Sequence, residues 1–335
     1  MPTEAKARPG SSAVRRRLLA SVALMLACLA LPAQSQGQYP ERAISLLVPF
    51  GPGGIADVTA RAVAEAMAKT LGQPVVVENK PSAGSIVATQ AVASAKPDGH
   101  TLLLLSNGNA VSVNLFKKLP YDTLKDIQPV STLGFFDLGI FTSAKSRYAN
   151  LKQLLDAAKA SPGKLTIGTI AVGSTQHLAA KLFETEAGVD LLVVPYKNSP
   201  ALLTALIAGE IDMATEIVGP MLGQTSAGTV RALAVSAERR NAALPEVPTA
   251  QQAGVPNYVV ASWNAIAVPA GTPGPVVERL NRAIREALAS PAVQAKLEKA
   301  GMRYQASTPA EAQALLTAEI KRWGEVIRRA KIELE

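Results

Sequence analysis

Two glycine-containing segments combine residue types that can bind an anion. Residues 50–57 read Phe-Gly-Pro-Gly-Gly-Ile-Ala-Asp, and residues 172–177 read Val-Gly-Ser-Thr-Gln-His. Each segment follows an apolar stretch and precedes a predicted helix, so it presents free backbone N–H groups and the positive end of a helix dipole. The two segments therefore predict two cradles for a phosphate or carboxylate group, the second with added hydroxyls. Asp57 can alternatively cap its helix.

The first segment also fits a dinucleotide-binding pattern. Gly51-x-Gly53-x-x-Ala56 matches G-x-G-x-x-G/A, and Glu78 follows about 20 residues later, where a ribose-binding acid is expected. Two observations count against this interpretation: the chain begins with a predicted export signal, and no catalytic pairing of a histidine with an acid is recognisable downstream. A nicotinamide-dependent enzyme therefore stays an alternative of lower rank.

The second segment raises the possibility of a nucleophilic serine. Ser174 and His177 are three positions apart, but the G-x-S-x-G elbow is missing. A serine and a histidine within one helical turn rarely align for proton transfer. We therefore predict that Ser174 is an N-cap or a ligand donor and that His177 packs or hydrogen-bonds within its domain.

The composition limits the other kinds of chemistry. The chain has 335 residues, of which 48% are hydrophobic and 4% aromatic, with one cysteine and two histidines. Few aromatics argue against base stacking, and the scarcity of cysteine and histidine argues against a metal cluster. Paired carboxylates and a P-loop lysine are not recognisable either. We therefore predict a protein that binds a small anion, without a cofactor, a metal or nucleic acid.

The first 33 residues predict an export signal. Arg15, Arg16 and Arg17 precede a mostly apolar run over residues 18–31, which is short for a membrane span, and polar residues follow. Residues 1–33 carry five basic residues and one acidic residue, which is half of the net charge of +8. We predict a signal peptide over 1–33 that is cleaved together with Cys28, and a periplasmic mature protein. An uncleaved membrane anchor is the alternative.

The elements that must position these segments alternate between strand and helix. Apolar runs, glycine and proline stops and helical spacing predict two α/β units followed by C-terminal helices. The first unit has predicted strands at 44–50, 75–77 and 101–105 and helices at 56–71 and 83–95. The second has predicted helices at 151–160, 176–187 and 200–208 and strands at 165–170, 191–194, 211–214 and 230–235. The C-terminal helices are predicted at 275–288, 291–300 and 309–330.

Ordered motifs over residues 39–335 resemble the Bug-type solute-binding proteins, the periplasmic receptors of tripartite tricarboxylate transporters. They include Tyr39-Pro40-x-Arg42-x-Ile44, Val48-Pro49-Phe50-x-Pro52-Gly53-Gly54-x-x-Asp57, Pro97-Asp98-Gly99, Gly173-Ser174-x-x-His177, Val194-Pro195-Tyr196-Lys197 and Pro269-Ala270-Gly271-Thr272-Pro273. The resemblance implies the type II periplasmic binding protein (Venus-flytrap) fold, with two α/β lobes joined by two crossover strands near residues 142 and 262. It places residues 39–142 and 263–335 in lobe 1 and residues 143–262 in lobe 2.

The same resemblance implies a ligand site between the lobes. Family members bind di- and tricarboxylates, acidic amino acids or aromatic acids through backbone amides, hydroxyls and water. The positions carried over to lobe 1 are Phe50, Gly51, Pro52, Gly53, Gly54, Asp57, Ser106 and Asn107. Those carried over to lobe 2 are Val172, Gly173, Ser174, His177 and Tyr196.

Three segments depart from the family pattern near the expected cleft. Residues 196–200 are one residue shorter than usual, residues 215–217 read Thr-Glu-Ile where many members have an aspartate, and residues 262–265 read Ser-Trp-Asn-Ala. We add Glu216 and Trp263 to the predicted ligand-binding residues. The far half of the ligand pocket is therefore expected to differ from that of relatives.

These observations predict an extracytoplasmic receptor that captures a small carboxylate and does no covalent chemistry. Its expected partners are the ligand and separately encoded membrane subunits of a tripartite tricarboxylate transporter, and we expect a monomer. A ligand sensor or interaction protein without a dedicated transporter is the main alternative. A dinucleotide-dependent or serine-type enzyme ranks below both.

Overall fold

The computed structural model describes Thr3, residues 39–329 and residues 331–335. The predicted signal peptide over 1–33 lies outside the described residues, apart from Thr3. Internal contacts divide the chain into residues 1–41 and residues 42–335. All the elements described below lie within residues 42–335. None of the described helices has the length and apolar character that a membrane crossing requires.

The described residues form ten strands and eleven α-helices. The strands are β1 (Ile44–Val48), β2 (Val75–Asn79), β3 (Thr101–Ser106), β4 (Ile127–Ser143), β5 (Thr166–Ile170), β6 (Leu192–Tyr196), β7 (Met213–Ile217), β8 (Val230–Val235), β9 (Ala261–Pro269) and β10 (Met302–Tyr304). The first helices are α1 (Ile55–Leu71), α2 (Ile86–Ala93), α3 (Asn107–Leu115), α4 (Thr123–Asp126), α5 (Leu151–Ala160) and α6 (Thr175–Ala187). The others are α7 (Ser199–Ala208), α8 (Val218–Ser226), α9 (Gly274–Ala289), α10 (Pro291–Lys299) and α11 (Pro309–Arg329).

Both predicted α/β units are present. In the first unit β1 pairs in parallel with β2 and β3, and in the second β5 pairs in parallel with β6 and β7. The inner strands β1, β3, β5 and β7 are mostly buried, as in other parallel sheets, whereas the outer strands β2 and β6 are partly exposed. The strand order is β2-β1-β3-β9-β4-β7-β5-β6, and β8 and β10 pair with β4 beside this path. The predicted α/β class is therefore confirmed.

The long strand β4 connects the two units. Residues 127–137 pair with β9, and residues 138–143 pair with β7 and β8. The register shifts twice along the pairing with β9, and the second shift lies at Gly134, where a Cβ atom would lie 2.4 Å from the carbonyl oxygen of Arg303. Residue 142 lies near the end of β4 and residue 262 near the start of β9. The lobe boundaries derived from these crossings stay a prediction.

The structure differs from the predicted elements in several places. The sequence analysis did not predict the two long strands β4 and β9, the short strand β10 or the helices α3, α4 and α8. The single helix predicted over 83–95 is wrong, because Gly84 and Ser85 both have φ near +60°. A 3₁₀ turn at Ala83–Ser85 precedes the shorter helix α2.

The second unit has its own apolar core around α7. Leu202 and Leu206 of this helix are fully buried against Phe141 of β4 and Met221 of α8. Burying one such side chain stabilises the fold by about 1.5–3 kcal/mol. This core fixes the start of α7, which borders the site described next.

Candidate ligand-binding site

A small, partly open cavity lies where the two predicted anion cradles meet. About 30 Å³ of it is open to the centres of water-sized molecules, and one water needs about 10–15 Å³ on that scale. Fifteen described residues line the cavity. We call eight of them the first wall: Phe50, Gly51, Gly54, Ile55, Ala56, Ser106, Ser262 and Asn264. The other seven form the second wall: Ile170, Thr175, Gln176, Lys197, Asn198, Ser199 and Ile217.

The first wall contains the start of helix α1. Gly53 turns the chain with φ +79°, and Gly54 occupies the N-cap position without a side chain that could cap the helix. Gly54, Ile55 and Ala56 border the cavity, so the positive end of the helix dipole faces it. Arginine does not occur among the fifteen described lining residues, and Lys197 is their one ionisable member.

Asp57 holds the loop of the first wall from behind. Its buried carboxylate accepts hydrogen bonds from the Gly53 N–H (3.0 Å), from Arg61 Nε (3.0 Å) and from Asn79 Nδ2 (2.9 Å). Asn79 Nδ2 also donates to the Phe50 carbonyl at 3.0 Å. Burial by itself raises the pKa of Asp57, but these donors hold its pKa below the ordinary value. Asp57 therefore positions the loop and does not line the cavity.

Asn107 joins helix α3 to three other elements. Its Nδ2 atom donates to Thr175 Oγ1 at 3.1 Å, and its Oδ1 atom accepts from the indole N–H groups of Trp263 (3.1 Å) and Trp323 (2.8 Å). Thr175 Oγ1 also lies 3.0 Å from Ser262 Oγ. Asn107 and Trp263 are buried behind the cavity, and they fix Thr175 and Ser262 in its two walls.

Ser174 caps helix α6 in the second wall. Gly173 precedes it with φ +79°, and Ser174 Oγ accepts the backbone N–H of His177 at 3.1 Å and donates to the Ile170 carbonyl at 3.3 Å. The hydroxyl is thus bonded to backbone groups, which confirms the predicted N-cap. Burial, with a smaller contribution from Lys181, lowers the pKa of His177 to about 4. The His177 imidazole is therefore neutral at physiological pH.

The start of α7 contacts the glycine loop across the cavity. Asn198 is the N-cap of α7 and accepts the Ala201 N–H at 2.9 Å. Its amide nitrogen lies 3.5 Å from the Pro52 carbonyl. A Cβ atom on Gly51 would lie 3.2 Å from the Lys197 carbonyl oxygen. Any larger residue at position 51 would therefore need the two walls to separate slightly.

Glu216 lies behind the second wall. Its Oε1 atom accepts hydrogen bonds from Gln176 Nε2 at 2.6 Å and from the Ile217 N–H at 2.7 Å. Its Oε2 atom is buried and makes no hydrogen bond to any described residue, although the Ser199 hydroxyl lies near the carboxyl. Burial raises the pKa of Glu216, and the three neighbouring groups act in the opposite direction.

The structure brings part of the predicted site together. Four of the predicted residues line the cavity, namely Phe50, Gly51, Gly54 and Ser106. The others lie outside its lining: Pro52, Gly53, Asp57, Asn107, Val172, Gly173, Ser174, His177, Tyr196, Glu216 and Trp263. Among them Tyr196 packs against the apolar core of the second unit. Their roles in ligand binding stay predictions.

Several lining residues were missed by one position along the chain. Thr175 and Gln176 follow the predicted Ser174, and Ser262 and Asn264 flank the predicted Trp263. The glycine-serine turn and the altered Ser-Trp-Asn-Ala segment were the available signals. The described residues contain no group of three histidine, cysteine or acidic side chains that could hold a metal ion.

Three solved structures share this architecture. The periplasmic binding protein BugD is 31% identical, with a TM-score of 0.84 over 89% of this chain and all of that one. MatC from Rhodopseudomonas palustris, solved with bound malate, is 32% identical, with a TM-score of 0.81 over 86% of this chain and all of MatC. Another R. palustris protein, solved with adipate, is 31% identical, with a TM-score of 0.84 over 89% of this chain and all of its own.

The family model described as the tripartite tricarboxylate transporter family receptor, TctC, matches residues 59–332. This match begins inside α1, after β1 and the glycine loop, and covers the rest of both α/β units and the C-terminal helices. It agrees with the solved structures, which confirm the predicted type II periplasmic binding protein fold. The chain therefore belongs to the receptors of the tripartite tricarboxylate transporter family and is of the Bug type.

Proposed function

We propose that this protein is an extracytoplasmic receptor that captures a small carboxylate between two lobes and delivers it to a tripartite tricarboxylate transporter. The observation that carries the proposal is the uncapped start of α1, which opens onto a small, partly open cavity whose lining includes hydroxyl and amide side chains. Backbone N–H groups at a helix start suit a carboxylate without requiring an arginine. The malate and adipate in two related structures support the same ligand class.

The two walls suggest a simple binding cycle. A carboxylate first meets the start of α1 while the walls are apart, and closure then brings α6 and α7 onto it. The ligand favours closure only to the extent that it contacts the closed form better than the open form. The closed form then docks on the transporter. A mature monomer, freed of residues 1–33 in the periplasm, completes the proposal.

Calorimetry with a panel of carboxylates tests the proposal. We expect the purified mature protein to bind at least one of malate, adipate, citrate, glutamate or benzoate with a Kd below about 1 mM, which corresponds to about 4 kcal/mol. If no member of the panel binds, the receptor function is wrong. Turnover of an ester or of a reduced nicotinamide would instead support one of the enzyme alternatives.

Position 55 offers a matched pair of variants for the role of the helix start. Ile55→Pro removes the first backbone N–H of α1, and both the N1 position and the extended Gly54 before it accept a proline. Ile55→Ala shortens the same side chain but keeps the N–H. Because a hydrogen bond to a charged group contributes about 1.5–3 kcal/mol, we expect Ile55→Pro to bind about tenfold to a hundredfold more weakly than Ile55→Ala. Equal affinities would exclude this N–H as a ligand contact.

A further inference from the structure

Glu216 is an unusual group to find behind a ligand cavity. It is fully buried on β7, and one of its two carboxyl oxygens has no hydrogen-bond partner among the described residues. The hydrogen bonds that it does make are both accepted by Oε1. A buried polar atom without a partner costs stability, so its presence calls for an explanation.

The position of Glu216 connects it to the cavity. The three groups that contact its carboxyl belong to Gln176, Ser199 and Ile217, and all three residues line the second wall. Glu216 therefore lies directly behind the second wall, which faces the start of α1: a Cβ atom on Gly54 would lie 3.7 Å from Ser199 Oγ. A ligand group that reaches between Gln176 and Ser199 meets this carboxyl first.

The surroundings of Glu216 favour the neutral acid. Helices α7 and α8 and strand β5, which pack against β7, contain no ionisable residue. Strand β4 contributes Asp137, and α6 contributes His177, Lys181, Glu184 and Glu186. Neither these five groups nor Lys197 of the second wall are among the causes that shift the pKa of Glu216, which burial raises. Without a cation to balance it, an ionised carboxylate at this depth is unfavourable.

We propose that Glu216 is a further ligand-binding residue, a neutral carboxylic acid that donates a hydrogen bond from Oε2 to the second carboxylate of a dicarboxylate ligand. The inference rests on the proposed function and adds a role to a position where many family members have an aspartate. The proton resides on Oε2 because Oε1 already accepts two N–H donors. The start of α1 binds the first carboxylate and, with the walls held apart by the ligand, Glu216 lets the second wall accept the second carboxylate without charge repulsion.

Glu216→Gln is the variant that separates a neutral donor from an anionic partner. The amide keeps the shape, the Oε1 acceptor and a donor at the Oε2 position, so we expect affinities for malate and adipate within about threefold of wild type. A variant that loses tenfold or more for both ligands, while its thermal unfolding matches wild type, would overturn the proposal. Such a loss would mean that the negative charge itself is needed.

Infrared difference spectroscopy tests the proton directly. The wild-type spectrum minus the Glu216→Gln spectrum should contain a protonated-carboxyl C=O band at pH 7 in the adipate and malate complexes. Hexanoate and 3-hydroxybutyrate are matched probes, since each has the same carbon chain with one carboxylate fewer. We expect the band to shift to lower frequency with each dicarboxylate but not with its matched monocarboxylate.

The outcomes separate this inference from the proposed function. A complex without the band, or a band that is identical with dicarboxylates and monocarboxylates, overturns the role of Glu216 only. A protein that binds other carboxylates but neither dicarboxylate also overturns it and leaves the receptor function standing. A protein that binds no carboxylate overturns both.

Discussion

The polar groups behind the two walls of the cavity are stabilised in opposite ways. Behind the first wall, the charged Asp57 carboxylate is matched by donors from Gly53, Arg61 and Asn79. Behind the second wall, the Nδ1 atom of His177 and the Oε2 atom of Glu216 lack partners among the described residues. One wall is thus preorganised by paired charges, and the other depends on titratable groups that stay neutral.

This difference predicts that the two walls respond to acid in separate pH ranges, and His177 gives the largest effect. Its pKa is about 4 in the folded protein against an ordinary 6.5. The unfolded chain therefore binds more protons between these values, so the free energy of unfolding falls as the pH is lowered from 6.5 to 4. We expect a loss of up to about 3 kcal/mol, at 1.36 kcal/mol per pKa unit.

Urea unfolding of wild type and His177→Gln across pH 4–7 measures this contribution. The variant cannot take up the proton, so the difference in stability between the two proteins should change across this range and level off above pH 6.5. Asp57→Asn is the matched control, because it alters the first wall and keeps His177. If wild type and His177→Gln lose stability in parallel, the second wall does not contain the acid-sensitive group.

The sequence predicts elements with local signals better than elements that form between distant segments. Elements whose signals are local were predicted well: helix α5 (Leu151–Ala160) and strand β8 (Val230–Val235) have the predicted bounds. Strand β4 was not predicted, because Pro129, Gly134 and Asp137 interrupt its apolar pattern. Its pairing with β7, β8, β9 and β10 comes from segments far away in the chain.

The site shows the same limit at the scale of single residues. Trp263 was predicted to bind the ligand, but its neighbours Ser262 and Asn264 line the cavity. Successive side chains of a strand point to opposite faces, so an error of one position moves a residue from the cavity to the core. At the start of α6, the Ser174 hydroxyl caps the helix, and the next two residues, Thr175 and Gln176, line the cavity. Motifs therefore locate the cradle but not the atoms that line it.

Asp57→Ala tests the first wall, where we expect a smaller effect on stability than that of His177. The change removes the acceptor of hydrogen bonds donated by Gly53, Asn79 and Arg61, so we expect a loss of about 2 kcal/mol in the free energy of unfolding at pH 7. The exposed Arg61 side chain is solvated and limits the cost. Ligand affinity should also fall, because the loop of residues 50–54 loses its anchor.

Glu65→Ala is the control on the same helix: Glu65 makes an exposed ion pair with Lys296, so its loss should change the free energy of unfolding little. The folded pKa of Asp57 is below its ordinary 3.8, so its contribution is present above pH 3.8 and is lost as the pH falls through the folded pKa. Wild type and Asp57→Ala should therefore converge only below about pH 4. If the two proteins already converge at pH 5–6, Asp57 titrates above its ordinary pKa and this prediction is wrong.

Ser174→Ala gives the smallest expected effect and tests what holds the second wall. An N-cap serine contributes about 1 kcal/mol, whereas glycine at the same position costs only a few tenths. If Ser174 acts through the start of α6, Ser174→Ala should lose stability and ligand affinity, and Ser174→Gly should retain most of both. Equal losses of affinity in the two variants would mean that the hydroxyl itself contacts the ligand. The second wall would then bind the ligand through the hydroxyl of its cap, as the first wall binds it through backbone N–H groups. The difference between the two walls would in that case be confined to Glu216 and His177.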